Sequence, residues 1–176
     1  MEILIVGILL VALMVYASTK IKKSAARAFE REVVETEHFR LVKPEGFISP
    51  VNEDSEYAFT ARSKNFGENE AHETHQAKIN LKIFSVENFD AVCRQIEDSA
   101  DKILSENIST DDSREQKTCL LEIEKIKDDI SFYAAHKIVE SETQKKVYAL
   151  EILVLQDFRE HYEAQIDEVL NSFSVT

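Results

Sequence analysis

The side chains best suited to chemistry lie in one short run, Gly67-Glu68-Asn69-Glu70-Ala71-His72-Glu73-Thr74-His75-Gln76. Imidazole nitrogens interleaved with carboxylates have the composition of a divalent-metal site. The spacing is a different matter. His72 and His75 are three residues apart, not in the His-Glu-x-x-His arrangement that places two ligands and a general base on one helix face. Gly67 at the head of the run predicts a long hairpin loop, and a loop is a poor preformed cage. The run therefore reads first as a solvated acidic loop and second as a weak divalent-metal site centred on His72 and His75.

The remaining reactive groups find no partners in the sequence. His136 falls on the apolar parity of a predicted strand, where a hydrogen-bonded core or edge histidine is expected, and no motif supplies a nucleophile for it to activate. Glu160 and His161 fall on the polar side of the last predicted helix. Cys93 sits on an apolar helical stripe and Cys119 opens a strand, so both read as small hydrophobes that stay reduced in a cytoplasm. In an exported domain a Cys93–Cys119 bridge becomes conceivable. Neither Asp111-Asp112 nor Asp128-Asp129 makes an acid/base dyad, because adjacent residues in a strand or turn point apart. Asn107-Ile108-Ser109 matches a glycosylation sequon, which a cytoplasmic domain never presents to the transferase. There is no nucleophile elbow, phosphate loop, dinucleotide glycine pattern or calcium-loop motif. The expectation is a non-enzyme with no catalytic residues and no cofactor.

What positions these groups begins with an apolar N-terminus. Ile3 to Ala17 lacks any charge, and with Ser18 and Thr19 the span Ile3–Thr19 covers roughly 26 Å as a helix, short but workable for a bilayer. Lys20, Lys22, Lys23, Arg27 and Arg31 follow it, whereas only Met1 and Glu2 precede it. The positive-inside rule then places the N-terminus outside and the rest in the cytoplasm. Residues 1–19 read as a transmembrane signal-anchor and 20–37 as a basic, charged helical stalk. The rival reading is a signal peptide cleaved after Val15-Tyr16-Ala17, which makes the domain an exported one.

Residues 38–176 form the predicted domain. Phe39 and Leu41 before Pro44-Glu45-Gly46 predict a strand and turn, Tyr57–Arg62 a second strand and Ile79–Phe84 a third. Phe89, Val92, Cys93, Ile96, Ala100, Ile103 and Leu104 then form a helical stripe, with Ser85 or Asn88 as cap. Asn107–Lys117 reads as a loop. Cys119–Lys127 fits either a helix or a strand, and its strand-like successors favour the strand. Ile130–Ile138 alternates, Tyr148–Leu155 is apolar on both parities like a central strand, and Phe158 to Phe173 is an amphipathic helix. The order βββαβββα predicts an α+β fold, a mostly antiparallel sheet packed by two helices.

The opening Phe39-Arg40-Leu41-Val42-Lys43-Pro44-Glu45-Gly46-Phe47, the late meander ending in Val147–Gln156, and the closing helix with Leu170, Ser172 and Phe173 resemble the PsbP-like superfamily. It includes the extrinsic proteins of photosystem II and many bacterial domains. The resemblance covers about 39–175 and implies the fold, but no functional residue. It differs at one turn, where Lys127-Asp128-Asp129 replaces the usual glycine-containing one. The 33 acidic residues outnumber the 21 basic ones, a net charge of −12, which argues against nucleic acid as partner. The combined expectation is a single-pass membrane protein that tethers or docks a protein partner through a non-enzymatic domain. Its alternatives are an exported PsbP-like accessory domain and a weak metal binder.

Overall fold

The computed structural model describes residues 13–16, 18–20, 27–50, 56–67, 74–85, 88–111, 113 and 115–176. Most of the expected span Ile3–Thr19 lies outside them. Residues 13–16 and 18–20 are helical, and no helix among the described residues is long and apolar enough to cross a membrane.

From Glu32 on, the described residues form ten strands and two α-helices. The strands are β1 (Glu32–Glu35), β2 (Phe39–Lys43), β3 (Phe47–Ile48), β4 (Phe59–Ser63), β5 (Ala77–Phe84), β6 (Lys102–Asp111), β7 (Gln116–Lys127), β8 (Ile130–Ser141), β9 (Lys146–Leu155) and β10 (Ser174–Val175). Helix α1 (Phe89–Asp98) follows β5, and α2 (Arg159–Ser172) follows β9 through a 3₁₀ turn at Gln156–Phe158. Seven strands make one antiparallel sheet in the order β3-β4-β5-β9-β8-β7-β6, and β1-β2-β10 make a small second sheet.

Strand β9 occupies the centre of the large sheet because it is apolar on both faces. Tyr148, Leu150, Ile152 and Val154 join one core with α2 and β2, through Tyr162, Ile166, Val169, Phe173, Phe39 and Leu41. Val147 and Ala149 face the other way, into a smaller core with Phe89, Val92 and Cys93 of α1 and Cys119, Leu121 and Ile123 of β7. Helix α1 has only 10 residues, about 15 Å, and closes one part of that second face. The remainder stays open.

Several expectations need correction. The charged stalk does not stay helical to Glu37: Glu32–Glu35 pairs antiparallel with β2, whose free edge recruits it. The first helix stops at Asp98 rather than reaching Leu104, so Ile103 and Leu104 belong to β6. Asn107–Lys117 is not a loop. Asn107–Asp111 belongs to edge strand β6, exposed almost throughout, which is why its side chains carry no apolar period, and Gln116 and Lys117 open β7, which holds the β6 backbone. The β7–β8 turn that lacks glycine works because Asp128 and Asp129 adopt positive φ (51° and 62°), the geometry of a two-residue hairpin that Asp tolerates. Asn88 is the cap of α1, its side chain accepting from the Ala91 N–H at 2.7 Å.

The C-terminal end of α2 is closed from the sheet. Lys137, on the α2 face of β8, donates to the carbonyls of Leu170 at 2.8 Å and Phe173 at 2.9 Å, satisfying groups that the last helical turn leaves open. Burial holds its ammonium below the usual lysine range. Lys137→Met keeps the stem and removes both donors. It is expected to lower unfolding stability by about 1–3 kcal/mol, measured by urea denaturation. An unchanged midpoint excludes the cap.

Candidate functional site

The open half of the sheet carries a polar row across four strands. Thr60 of β4 faces Asn80 of β5, Asn80 faces Glu151 of β9, and Glu151 faces His136 of β8. The Thr60 hydroxyl donates to Asn80 Oδ1 at 3.0 Å, and Asn80 Nδ2 donates to Glu151 Oε2 at 3.2 Å. Lys125 of β7 reaches the other carboxylate oxygen, Nζ to Oε1 at 3.2 Å. The His136 Nε2 lies 3.8 Å from that same oxygen, too far for a hydrogen bond. Glu151 thus makes the bonds, and His136 stands beside it.

His136 is buried, and neither ring nitrogen has a hydrogen-bond partner among the described residues. The expected hydrogen-bonded core histidine is half right: it is core but unpaired, since the carboxylate opposite is already held by Lys125 and Asn80. Burial pushes the imidazole below its ordinary value; Glu151 opposes this and Lys125 adds to it. The ring is neutral near pH 7. For Glu151, burial raises the carboxyl, but His136, Lys125 and the hydrogen bonds from Asn80 and Lys125 more than reverse it, leaving it below the usual range.

Glu151 and Lys125 also line a cavity of about 700 Å³, within the size range of small-ligand sites. Leu153, Phe132 and Ile130 give it apolar surface, Arg62 and Lys78 lie along one side, and Lys127 and Asp128 stand at the β7–β8 end. The β4–β5 hairpin base supplies Phe66, Thr74 and His75. Phe66 and His75 form an isolated bridge with ring centroids 4.3 Å apart. At Gly67 the backbone lies close to the sheet, where a Cβ would stand 2.6 Å from Leu155 Cδ1 and the leucine methyl would have to turn aside.

His72, with Glu70 and Glu73, lies outside the described residues. His75 is placed by its fold neighbours: its Nδ1 is 2.7 Å from the Ser63 carbonyl, so Nδ1 carries the proton. Burial lowers its pKa, as do Arg62 and Lys78, against the opposing bond to Ser63. Among the described residues no three His, Cys, Asp or Glu side chains converge as a metal cage. Cys93 and Cys119 are buried free thiols that meet beneath α1, burial raising both and taking Cys93 to about 12. His161 is exposed, edge-on to Tyr162. Sequence reasoning missed Glu151, Lys125 and Asn80. Glu151 had a signal, as the one charge inside the run Val147–Leu155; Asn80 and Lys125 looked like ordinary outward residues.

Comparison with known proteins then bears on the fold. No protein-family model matches the chain, and no curated protein matches it significantly. Solved structures do. Cyanobacterial PsbP (CyanoP) from Synechocystis sp. PCC 6803 is similar at TM-score 0.53 and 14% identity, covering 84% of this chain and 92% of its own. The fold is PsbP-like. LpqN of Mycobacterium tuberculosis, described as involved in cell envelope biogenesis, is similar at TM-score 0.58 and 12% identity, with 84% and 91% covered. The Ran-binding protein Mog1p of Saccharomyces cerevisiae is similar at 0.52 and 13%, with 84% and 96% covered. The resemblance read from 39–175 is thus a shared PsbP-like architecture, carried at very low identity.

The His136–Glu151 pair sets a pH dependence. The folded-state imidazole lies below its unfolded value of 6.5, so the unfolded chain binds more protons as pH falls through that value. Stability contributed by the neutral ring is present above pH 6.5 and lost on acidification, and depressed Glu151 acts in the same direction at lower pH. His136→Leu removes the ring's share. Its stability, followed by urea denaturation from pH 7 to pH 5, is expected to fall less than that of the parent chain, each unit of pKa difference being worth about 1.4 kcal/mol. Parallel curves exclude a titrating His136.

Proposed function

We propose that this protein is a membrane-tethered, non-enzymatic binding module that presents a PsbP-like domain to the cytoplasm and engages its partner at the open half of the large sheet. The observation that carries the reading is the cavity beside Glu151. It is concave and partly apolar, and Arg62, Lys78, Lys125 and Glu151 on its wall are placed by strand register. Thr74 is the one hydroxyl among its described lining residues, and the described base next to it, His75, turns its Nδ1 to the Ser63 carbonyl. Such a surface suits holding more than converting. The similar fold described as a Ran-binding protein supports the use of this architecture for binding. The apolar run Ile3–Ala17 followed by Lys20, Lys22 and Lys23 supports the tether and its orientation.

Two measurements test this on the full chain in cells. Both native cysteines are buried, so a Thr176→Cys variant offers an impermeant maleimide one accessible thiol among the described residues. Labelling of a full-length chain only after permeabilisation is expected. Labelling in intact cells, or a shortened chain, overturns the cytoplasmic tether. A photoreactive residue at position 130, in the cavity, is expected to give a discrete adduct that one at exposed Glu142 does not. Equal adducts from the two positions remove the cavity as the docking place.

A further inference from the structure

The cavity has the opposite charge bias from the chain. On a protein of net charge −12, its described lining residues include four cations, Arg62, Lys78, Lys125 and Lys127, against the two carboxylates of Asp128 and Glu151. Glu151 is already neutralised by Lys125 at 3.2 Å. Lys78 and Lys127 are exposed and hold no ion pair among the described residues, so nothing fixed there competes for them. Register makes the bias sharper. Arg62 and Lys78 are direct partners across β4 and β5 on the same face, a like-charge pairing that antiparallel strands disfavour. Between these cations and those of β7 run β9 and β8, so across the sheet the two basic walls stand three strand spacings apart, about 14 Å, with Lys125 and Lys127 two and four residues along β7 from the register line of Lys78. The surface between them is apolar: Leu153 faces Ala134 there, and Phe132 is the register partner of Lys125.

Two basic walls over an apolar floor define a ligand chemistry. We propose that this cavity binds a carboxylate-bearing ligand whose apolar body lies on Leu153, Phe132 and Ile130 while Lys78 and Lys127 hold its anionic groups. The inference rests on the cavity being a binding site and names what it takes. A bare phosphate fits less well. It would leave the floor uncovered, and neither helix N-terminus belongs to the described lining. The carboxylates can come from a free diacid or from an acidic, apolar segment of a partner protein, and the walls recognise the same groups in each.

The test uses the full chain in phosphatidylcholine nanodiscs, titrated calorimetrically with octanedioate, octane-1,8-diol, inorganic phosphate and the peptide amide acetyl-Glu-Leu-Glu. Octanedioate or the peptide is expected to saturate the site, the diol not to bind, and phosphate to bind at least about ten-fold more weakly. A tighter peptide identifies a protein source, and a tighter diacid a free one. The exposed double substitution Lys78→Gln, Lys127→Gln is expected to weaken the better probe about ten-fold. Lys102→Gln on β6, outside the cavity, leaves it unchanged. Diol binding as tight as the diacid overturns the anionic requirement, and equal phosphate binding overturns the apolar one. No saturation by either diacid or peptide overturns the proposal outright, and adducts from position 130 would still stand for the broader binding role.

Discussion

Glu151 is a carboxylate in the middle of the most buried strand of the sheet. Its neighbours along β9 are apolar on both faces, and a charge in such a place is tolerated only when paired and hydrogen-bonded. Antiparallel register delivers the partners. Asn80 stands opposite on β5, His136 opposite on β8, and Lys125 reaches across from β7. The order β5-β9-β8-β7 is therefore the order in which that charge is compensated. A one-residue slip of β9 would turn Glu151 toward the α2 core and Leu150 or Ile152 toward the cavity, so the row penalises wrong registers as strongly as it decorates the right one.

The asymmetry of the two helices decides where this row is exposed. Helix α2, of 14 residues, covers its face together with β2 and β10, and its C-terminal carbonyls are tied to Lys137. Helix α1 is shorter and packs over the part of the opposite face lined by Cys119, Ile138, Val147 and Ala149. Two residues along β9 the cover ends, and the side chain there is Glu151. The cavity is thus the remainder of a face whose helix is too short to close it. The cysteine pair belongs to the covered part, where raised pKa values make both thiols poor nucleophiles.

The architecture was legible wherever one face of an element was buried. The alternation of Ile130–Ile138, the two-sided run of Tyr148–Leu155 and the stripe of the last helix correspond to β8, β9 and α2. It was illegible where backbone pairing alone makes the element. Strand β6 is polar and exposed, β1 continues a charged stretch that has good helical spacing, and β3 and β10 have two residues each. No periodicity marks such segments. The site was hidden for a related reason. Thr60, Asn80, Lys78 and Lys125 sit on the parity of their strands that usually faces water, and only the strand order makes them neighbours. Of His72 and His75, conspicuous in sequence, His72 lies outside the described residues and His75 is placed by Ser63 and Phe66.

Lys125 ties the fold to the cavity. Its ammonium is bound to Glu151, and Phe132 is its register partner on β8, so the residue is held before anything enters. Lys78 and Lys127 differ: they are solvated, and ordering each costs rotamer entropy on the order of 1 to 2 kcal/mol. A ligand gripped by charge alone would recover little of that in an open, water-filled site, where exposed ion pairs are worth about 0 to 1 kcal/mol. Burial of apolar surface on Leu153, Phe132 and Ile130 has to supply the rest. At about 25 cal/mol per Å², covering roughly 100 Å² yields on the order of 2.5 kcal/mol, more than either lysine contributes. Affinity here is accordingly set by the floor, and the cations choose which apolar molecule is allowed to use it.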